Sequence, residues 1–267
     1  MEYFKNQKEI QNWNQDVLNN THVLIVGVGG IGSIAALACA RLGIGRISLC
    51  DMDTVEPSNL NRQLLYGTHD IGKQKIESAL INLSQIHSLT SYIEGFDFDI
   101  FQNWKKFINL VKKADIVYNA LDLPEVKKLL VANLCLKLRK PMIFSGTDPI
   151  SGNAGMILFQ QPDGSPCYNC LTAAIHSVKE EYRPNLDTNK IDQYDMFPVE
   201  QMADYNEILG KTTVYTASII TMFGIDLMIH WLFRWFDSFP NRIILDLYNF
   251  TCETWIETNS CQFCQGT

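Results

Sequence analysis

The feature that most constrains the fold is a glycine-rich turn between an apolar run and an alanine-rich segment. The run Val23–Val26 leads into Gly27-Val-Gly-Gly-Ile-Gly32, and the segment Ile31–Leu42 follows, closed by Gly43. A continuous apolar run is typical of a strand buried on both faces, and the later segment has the composition and end signal of a helix. The sequence therefore predicts a strand, a tight turn and a helix whose N-terminus faces a nucleotide phosphate.

The glycines of this turn have separate predicted roles. Gly27 and Gly29 let the backbone turn sharply and approach a phosphate, and Gly32 lets the helix pack closely. The alternative is a glycine turn that binds no ligand. The strand before the turn and the helix after it argue against that alternative.

Predicted strands and helices alternate through the first half of the chain. Further strands are expected at 46–50, 92–93, 114–118 and 142–144, and helices at 73–86, 104–111 and 125–138. This alternation predicts a Rossmann-like, doubly wound α/β sheet, mostly parallel, with right-handed crossovers. Beyond Gly146 the sequence predicts a C-terminal antiparallel extension, with strands at 156–159, 242–248 and 250–257.

The sequence predicts two parts along the chain, an N-terminal arm at 1–20 and a single nucleotide-binding domain at 21–267. The domain includes a long crossover loop at about 171–212, which is polar and aperiodic between His176 and Lys211 and is therefore predicted to be exposed. The apolar run Val214–Phe236 contains Asp226. Because a membrane span would place this acid near mid-bilayer at a cost of about 3 kcal/mol, a buried helix is predicted instead.

The charge balance and the N-terminal composition exclude several function classes. Lys and Arg number 22 against 29 Asp and Glu, for a formal net charge of -7. This balance gives no general basic field, so nucleic acid is not expected as a main partner. The first 20 residues lack the apolar core of a signal peptide, and a cytoplasmic location is therefore expected.

Two acidic residues follow the second predicted strand. Asp51 ends that strand, where a carboxylate can accept hydrogen bonds from both ribose hydroxyls of a nucleotide. Asp53 is interpreted as a local cap or turn residue with a minor role. The position of Asp51 suits NAD as well as ATP, so it does not separate an oxidoreductase from an ATP-using enzyme.

The polar residues that come next separate these two classes. They are Asn59, Arg62, Gln63 and Lys75. Arg62 can bind phosphate oxygens with two donors, and Lys75 adds a point charge. Hydride transfer leaves the pyrophosphate intact and needs neither cation, whereas a phosphate-transfer site needs positive charge where negative charge develops. The alternative is that both cations lie on a solvated helix face.

Asp122 favours the phosphate-transfer interpretation. It follows the strand residues Ile116-Val-Tyr-Asn119, at the sheet edge where open α/β sheets bind their ligands. A carboxylate there can bind Mg²⁺ that bridges the phosphates. The alternative is a helix cap ahead of Pro124-Glu125.

Eight cysteines include two pairs with the spacing of metal ligands. Cys167-Tyr-Asn-Cys170 and Cys261-Gln-Phe-Cys264 can each bind one ion through two thiolates. In a chain expected to be cytoplasmic, they predict a closed, structural four-cysteine zinc site rather than disulfides or a redox pair. The others are expected to be core residues: Cys39, Cys50, Cys135 and Cys252.

Together these motifs resemble the E1-like activating family, which includes the ThiF and MoeB adenylyltransferases. The resemblance extends from about Val23 to Cys264. It is carried by the glycine turn, Asp51-Met-Asp53, Asn59-Leu-Asn-Arg62-Gln63, Gly72-Lys-Gln-Lys75, Asp122 and the two cysteine pairs. It implies a Rossmann-like ATP domain, a homodimer, and adenylation of a protein C-terminus, commonly the Gly-Gly tail of a ubiquitin-like or sulfur-carrier protein.

The resemblance also implies roles for individual residues. Arg62, Lys75 and Asp122 are the implied catalytic residues, with Asp122 also the ligand of Mg²⁺. The implied ATP-binding set is Gly27, Gly29, Gly30, Gly32, Asp51, Asn59, Arg62, Gln63, Lys75, Asp122 and Leu123. The carrier carboxylate would attack the α-phosphorus and release pyrophosphate, while the cations stabilise charge on the phosphates.

The chain departs from the family pattern in three ways. Because no Arg precedes Arg41, a basic arm that reaches a partner subunit's ATP has only Lys5 or Lys8 to offer. Leu123 stands where family members often have Asn. The loop after the first cysteine pair contains no cysteine, so adenylation without a thioester step is expected, with Cys252 a less favoured nucleophile.

Other functions remain as alternatives. One is ATP-dependent adenylation of a short peptide or of a tRNA-linked carboxylate, although the acidic net charge argues against tRNA. Another is the non-catalytic half of a heterodimeric activator, against which Arg62, Lys75 and Asp122 argue. An NAD-dependent oxidoreductase would explain the glycines but leave the cations without a role.

Overall fold

The computed structural model describes residues 3–85, 91–122, 125–148, 150–162, 166–173, 190–193, 195, 212–235, 238 and 240–256. The helices are α1 (Lys5–Lys8), α2 (Gln15–Asn19), α3 (Gly30–Leu42), α4 (Lys75–Ser84), α5 (Trp104–Lys113), α6 (Glu125–Lys137), α7 (Tyr168–Ala173) and α8 (Val214–Phe233). The strands are β1 (His22–Val26), β2 (Arg46–Cys50), β3 (Tyr92–Phe96), β4 (Ile116–Asn119), β5 (Met142–Thr147), β6 (Ala154–Gln160), β7 (Arg242–Asp246) and β8 (Thr251–Trp255).

The eight described strands form one sheet in the order β3-β2-β1-β4-β5-β6-β7-β8. The first five are parallel and the last three pair antiparallel, which confirms the predicted parallel sheet with an antiparallel extension. In the register, Val26 is opposite both Cys50 and Asn119. The carboxyl ends of β1, β2 and β4 therefore lie together, at the point where the strand order reverses and where sheets of this kind bind their ligands.

Helices cover both faces of the parallel strands. Val23 and Ile25 of β1 face the cluster that includes α3, α4 and α8, whereas Leu24 and Val26 face the cluster that includes α5 and α6. All four side chains are at most 1% exposed. This confirms the prediction that the continuous apolar run is a strand buried on both faces, because neither face contacts water.

The predicted C-terminal apolar helix is α8, which packs on α3, β5 and β6. By length and composition α8 could cross a membrane, but half of its most apolar window is buried within the fold. Gly224 is needed at this contact, because an added Cβ would overlap with the hydroxyl oxygen of Tyr118. The helix ends at Phe233, and the capping residue Arg234 has a left-handed φ of 53°. The prediction of a buried helix agrees with this packing, with the end three residues earlier than expected.

Two residues differ in exposure from what the sequence predicts, while most of the predicted crossover loop lies outside the described residues. Within the loop expected to be exposed, Ile191 is buried, and its carbonyl oxygen accepts a hydrogen bond from Trp104 Nε1 at 2.8 Å. Cys252, expected in the core, is exposed because β8 is an edge strand whose residues face solvent. Apolar character alone could not place either residue, since tertiary packing covers Ile191 and no described element covers β8.

The described part of the N-terminal arm folds back onto its own chain. Phe4 is buried and packs against Gly43, and Gln15 Nε2 donates to the carbonyl oxygen of Leu42 at 3.0 Å. Both contacts lie at the C-terminal end of α3, the end away from the glycine turn. The amide groups of Gln7 and Gln15 therefore satisfy a carbonyl that the helix end leaves unpaired.

Candidate active site

The glycine turn depends on two close backbone contacts. Gly27 has a φ of +86°, and a Cβ added there would lie 2.9 Å from the carbonyl oxygen of Ala120. A Cβ added at Gly32 would overlap with the carbonyl oxygen of Gly27. Gly27 is therefore required for a left-handed backbone, and Gly32 for the close approach of α3 to the turn.

Asp51 connects the end of β2 to this turn. Its Oδ2 accepts a hydrogen bond from Val28 N at 2.6 Å, and its Oδ1 accepts one from Asp53 N at 2.9 Å. Burial raises the pKa of Asp51, while Lys75 and the two backbone N–H groups oppose that rise. The carboxylate is therefore fixed in position where the ribose is expected.

Lys75, the first residue of α4, is a buried cation with two acidic partners. Its Nζ lies 2.8 Å from Asp53 Oδ2 and 3.9 Å from Asp51 Oδ1, and its side chain is 7% exposed. Burying an ammonium group is costly unless it is paired, so these carboxylates hold Lys75 in place. This geometry excludes the alternative of a solvated helix face for Lys75.

Asp53 has a larger part than the local turn role expected from the sequence. It is the nearest acidic partner of Lys75 although the two lie 22 positions apart. A bridge between Thr54 and Gln74 and a hydrogen bond from Lys75 N to Asp53 O bring the two segments together. No local sequence pattern encodes this pairing, which explains why sequence reasoning missed it.

Arg62 lies beside the turn. Its Cγ and Cδ are each 3.5 Å from the position of a Cβ built on Gly30, so the arginine side chain passes directly over this glycine. Its Nη1 donates to Ser58 O and to Asn61 Oδ1, both at 2.9 Å. Both hydrogen bonds are made by Nη1, so the guanidinium is held next to the start of α3 while Nε and Nη2 take no part in these two bonds.

Asn59 and Gln63 differ in what they do at the site. The Oδ1 of Asn59, which is buried, accepts a hydrogen bond from Glu56 N at 3.1 Å, so this side chain shapes the short 3-10 turn before Arg62. Gln63 is 4% exposed and lies beside Gly29. Its Oε1 has no hydrogen-bond partner among the described residues, so this oxygen can accept a hydrogen bond from a ligand.

A single cavity of about 670 Å³ connects these groups. Most of the predicted ATP-binding residues line it, namely Gly27, Gly29, Gly30, Asp51, Asn59, Arg62, Gln63, Lys75 and Asp122. Gly32 does not, because it packs inside the turn, and Leu123 lies outside the described residues. We refer to the part around Gly30, Asp51, Arg62, Lys75 and Asp122 as the nucleotide end of the cavity.

The same cavity continues past the ends of β5 and β6. We refer to this part as the far end, and its lining residues include Thr147, Gly155, Thr172, Thr212 and Ala217. These five residues are small and uncharged, whereas Asp148 and the larger Met156 line the same cavity beside them. No sequence pattern marks these five, because they are spread over three separate segments that only the fold brings together. The far end provides room for a second substrate next to a nucleotide.

The first predicted zinc pair has the geometry of metal ligands. The Sγ atoms of Cys167 and Cys170 are 3.8 Å apart. Two thiolates of a tetrahedral zinc site, each about 2.3 Å from the ion, lie about 3.8 Å from each other. Cys261 and Cys264 lie outside the described residues. Within the described ranges, no group of three or more His, Cys, Asp or Glu is placed to hold an ion.

Two known proteins with similar sequences are both named adenylyltransferases. Molybdopterin-synthase adenylyltransferase of Escherichia coli K12 is 32% identical over 158 residues, which cover 59% of this chain and 61% of that protein. Adenylyltransferase and sulfurtransferase uba4 of Pyricularia oryzae is 34% identical over 161 residues, which cover 58% of this chain and 32% of that protein. The chain therefore spans less than two thirds of the length of these relatives.

Solved structures give the same fold over a longer stretch. The microcin C7 biosynthetic enzyme MccB, in complex with N-formylated MccA, matches with a TM-score of 0.72 and 24% identity. The match covers 94% of this chain and 69% of that one. At the level of families, the ThiF family matches residues 4–261, almost the whole sequence. The chain belongs to the ThiF family.

Proposed function

We propose that this chain is an ATP-dependent adenylyltransferase that activates the C-terminal carboxylate of a ubiquitin-like or sulfur-carrier protein as an acyl adenylate. One observation carries the proposal: a single cavity joins Arg62, Lys75 and Asp122 at the glycine turn to a far end that a protein tail can enter. The printed names of the relatives from E. coli and P. oryzae, both adenylyltransferases, support it.

ATP binding would use groups that the fold already holds in place. The N-terminus of α3 and the backbone of the glycine turn would take the phosphates, since unpaired N–H groups there attract anions. Asp51 would take the ribose, because each carboxylate oxygen can accept a further hydrogen bond beside those from Val28 and Asp53. Gln63 Oε1 would accept a hydrogen bond from ATP or from a water bound beside it.

The chemical step needs no general base. The carrier carboxylate is ionised near pH 7 and attacks the α-phosphorus, so that an oxygen–phosphorus bond forms while the bond to pyrophosphate breaks. Arg62 and Lys75 stabilise the negative charge that builds on the phosphates. Because Asp53 and Asp51 fix Lys75 before the substrate arrives, this cation does not have to reorganise during the reaction.

Asp122 would bind Mg²⁺. It is an exposed carboxylate on the cavity wall, three residues beyond the end of β4. Mg²⁺ is commonly held by one or two carboxylates together with substrate phosphates. The donor set therefore fits this ion. When bound there, Mg²⁺ would supply further positive charge to the phosphates.

The four-cysteine zinc site fits the path of the chain. β6, which leads to Cys167, is separated from β8 only by β7, so the two strands lie about 10 Å apart. Cys261 follows Trp255 by six residues, which can span about 20 Å. We propose that Cys167, Cys170, Cys261 and Cys264 hold zinc and tie the C-terminal segment to α7. A closed site of four thiolates would be structural, without an open position for catalysis.

The proposed reaction includes no thioester on this chain. Of the described cysteines, only Cys50 lines the cavity. Burial raises the pKa of its thiol, and the nearby Asp51, Asp97 and Asp99 raise it further. A thiol that stays protonated is a poor nucleophile. Cys252 is exposed on the edge strand and does not line the cavity.

We further propose a cytoplasmic homodimer built from the single domain 21–267 with the arm 1–20. A row of apolar side chains on α8 faces solvent in one chain, namely Val214, Tyr215, Ile219, Met222 and Phe223. Such a row supports an interface with a second copy, because contiguous exposed apolar side chains mark association surfaces. ATP supply and reduced zinc thiolates both suit the cytoplasm.

ATP–pyrophosphate exchange tests the proposed activity. Labelled pyrophosphate should enter ATP only when a carrier protein ending in Gly-Gly is present, and the same carrier without its last two residues should give no exchange. Exchange with a short free peptide or a tRNA-linked carboxylate, but with no Gly-Gly carrier, would replace the proposal with one of those substrates.

The variant Asp122→Ala should abolish this exchange, because the ligand for Mg²⁺ is lost while the fold is retained. Zinc content, measured by elemental analysis, should remain unchanged. A variant that loses zinc or unfolds would show instead that Asp122 has a structural role.

A further inference from the structure

The amino ends of the parallel strands, on the opposite side of the sheet from the cavity, carry a cluster of cations. α5 and α6 both end there, since each helix leads into the strand that follows it, β4 or β5. Together with the first residue of β2, these helix ends supply six cations: Arg46, Lys112, Lys113, Lys137, Arg139 and Lys140. We refer to these six as the basic edge, and none of them has a part in the function proposed above.

Close contacts join these cations into one continuous edge. Lys140 Nζ donates to Ala114 O at 2.7 Å, which connects the segment after α6 to the segment after α5. His22 Nδ1 lies 3.0 Å from Lys113 O, which places the end of α5 beside the start of β1. Arg46 is opposite His22 in the register of β1 and β2, so the basic edge extends from β5 to β2.

The carboxylates beside the basic edge already have partners. Glu94 Oε1 accepts hydrogen bonds from Arg46 Nη2 at 2.8 Å and from Ser48 Oγ at 2.6 Å. Asp115 Oδ2 accepts one from His22 N at 2.8 Å. Glu94 therefore neutralises the charge of Arg46, while Asp115 binds the backbone at the start of β1.

Four of the six cations are exposed and lack a partner of this kind. Within the described ranges, no ion pair involves any of the four, which are Lys112, Lys113, Lys137 and Arg139. Their positive charge is therefore available to a ligand, although the whole chain has a formal net charge of -7. Because salt screens charges beyond about 10 Å, this local cluster attracts a polyanion that the net charge alone would argue against.

An exposed aromatic ring continues the basic edge. Tyr92 is the first residue of β3 and is 60% exposed, and the guanidinium carbon of Arg46 lies 5.4 Å from its ring centroid. From β3 to β5 the edge crosses four strand spacings, which gives it a length of about 19 Å. A ring with this exposure can stack on a nucleic-acid base, while the cations along the edge contact phosphates.

We infer that the basic edge and Tyr92 bind a single-stranded segment of RNA. A row of cations contacts successive phosphates, and an exposed aromatic ring stacks on an unpaired base. An acidic protein segment would use the cations but leave Tyr92 without a role. RNA presents unpaired bases in its loops, bulges and ends, whereas the bases of a duplex are stacked on each other. The edge is separate from the cavity, so the inference does not depend on the proposed adenylation.

The salt dependence of RNA binding tests the role of the cations. The probe is a fluorescently labelled oligouridylate of about 12 nucleotides, within the usual size of single-strand sites, and binding is followed by anisotropy. The logarithm of the affinity should fall with the logarithm of the salt concentration with a slope of about -3, as for four contacts to phosphates of a single strand. The double variant Lys112→Gln/Lys113→Gln should make this slope shallower by about 1.4.

Substitution of the aromatic ring separates RNA from an acidic protein partner. Tyr92→Leu should weaken binding of the oligouridylate about tenfold, the scale of one lost base–aromatic stack, and leave the salt slope unchanged. Tyr92→Phe keeps the ring and should bind as the wild type does. Unlabelled polyglutamate of the same total charge should displace the probe much less effectively than unlabelled oligouridylate.

The matched control removes two cations from the other end of the same helix. Lys105→Gln/Lys106→Gln alters the start of α5, about 10 Å along the helix axis from Lys112 and Lys113 and on the cavity side of the sheet. The salt slope of this control should equal that of the wild type. Carrier-dependent pyrophosphate exchange should be unchanged in every variant, which also shows that each one is folded.

Three results would overturn the inference. The first is a wild-type chain that does not bind the oligouridylate. The second is an equal salt slope in the two double variants, or equal affinity of Tyr92→Leu and the wild type. The third is displacement of the probe by polyglutamate as effectively as by oligouridylate, which would replace RNA with an acidic protein segment.

Discussion

The nucleotide end and the far end of the cavity are built in opposite ways. At the nucleotide end, Asp51 and Lys75 are charged side chains only 7% exposed, and they are held by ion pairs and backbone hydrogen bonds. At the far end, Thr147, Thr172 and Ala217 are small and uncharged, although Asp148 follows Thr147 and lines the same cavity. In the proposed function, the fixed charges hold a polyanion and the small side chains leave space for a protein tail.

Fixed charge of this kind has a specific advantage in catalysis. A cation that is already oriented and shielded from water stabilises developing negative charge more strongly than a solvated one. A protein tail gains little from fixed positive charge of this kind and needs space instead, which small side chains leave.

The largest expected effect is at the nucleotide end. Lys75→Met keeps the length of the side chain but removes the charge, leaving Asp51 and Asp53 without their shared cation. Carrier-dependent pyrophosphate exchange should fall at least about a hundredfold, the scale seen when one fixed electrostatic contact to a transition state is lost.

Lys73→Met is the control for that variant. Lys73 lies two residues earlier, its Nζ is 3.8 Å from Asp70 Oδ1, its side chain is half exposed, and it does not line the cavity. The control should exchange pyrophosphate as the wild type does. Equal rates for the two variants would mean that the buried charge of Lys75 has no part in the reaction.

An intermediate effect is expected at the far end. Thr147→Tyr places a bulky ring in the path proposed for the carrier tail, at the end of a strand where an aromatic residue is well tolerated. The KM for the carrier should rise about tenfold, corresponding to ~1.4 kcal/mol, while the KM for ATP stays unchanged.

Thr251→Tyr makes the same substitution at an exposed position of β8 that does not line the cavity. This variant should leave both KM values as they are. If Thr147→Tyr raised the KM for ATP instead, the assignment of the two ends would have to be reversed.

The smallest effect concerns stability, and it lies at the amino ends of the parallel strands, on the opposite side of the sheet from the cavity. His22 at the start of β1 is buried, with Nε2 2.7 Å from Ser48 Oγ and Nδ1 3.0 Å from Lys113 O. Burial lowers the pKa of His22 below 6.5. The unfolded chain therefore binds this proton first as pH falls, so the free energy of unfolding should decrease below about pH 6.5, by at most about 1.4 kcal/mol per pH unit.

Urea unfolding between about pH 7.5 and pH 5.5 measures this slope. His22→Gln should reduce it, since the titrating group is removed. ATP affinity at neutral pH should be the same in this variant as in the wild type. A changed ATP affinity would show that the N-terminal ends of the strands are coupled to the cavity, and an unchanged slope would show that His22 is not the group responsible.

The contrast between the ends also explains which parts of the site could be predicted from sequence. The nucleotide end comes almost entirely from one stretch, Gly27 to Lys75, where glycine spacing and residue type encode the turn and its phosphate-binding groups. Even there the ion pair of Lys75 with Asp53 was missed, because a chain reversal between Thr54 and Gln74 creates it. Local patterns carry backbone geometry, whereas pairing between segments depends on the fold.

The far end could not be predicted in this way. Gly155, Thr172 and Ala217 are small residues of a kind found anywhere in a chain, and they meet only because β6, α7 and α8 converge. The exposure of Cys252 was mispredicted for a related reason: an apolar strand pattern does not tell an edge strand from a central one. The parallel half of the sheet, by contrast, was predicted correctly from the alternation of strands and helices, because that alternation can be recognised from neighbouring residues along the chain.

Mass spectrometry of a reaction mixture tests the central claim most directly. The chain is mixed with ATP, Mg²⁺ and a carrier protein ending in Gly-Gly, and the masses of both proteins are measured before and after quenching. We predict that the carrier gains the mass of one AMP at its C-terminus while the mass of this chain stays unchanged. A carrier without AMP, or a carrier joined to a cysteine of this chain, would contradict adenylation without a thioester step.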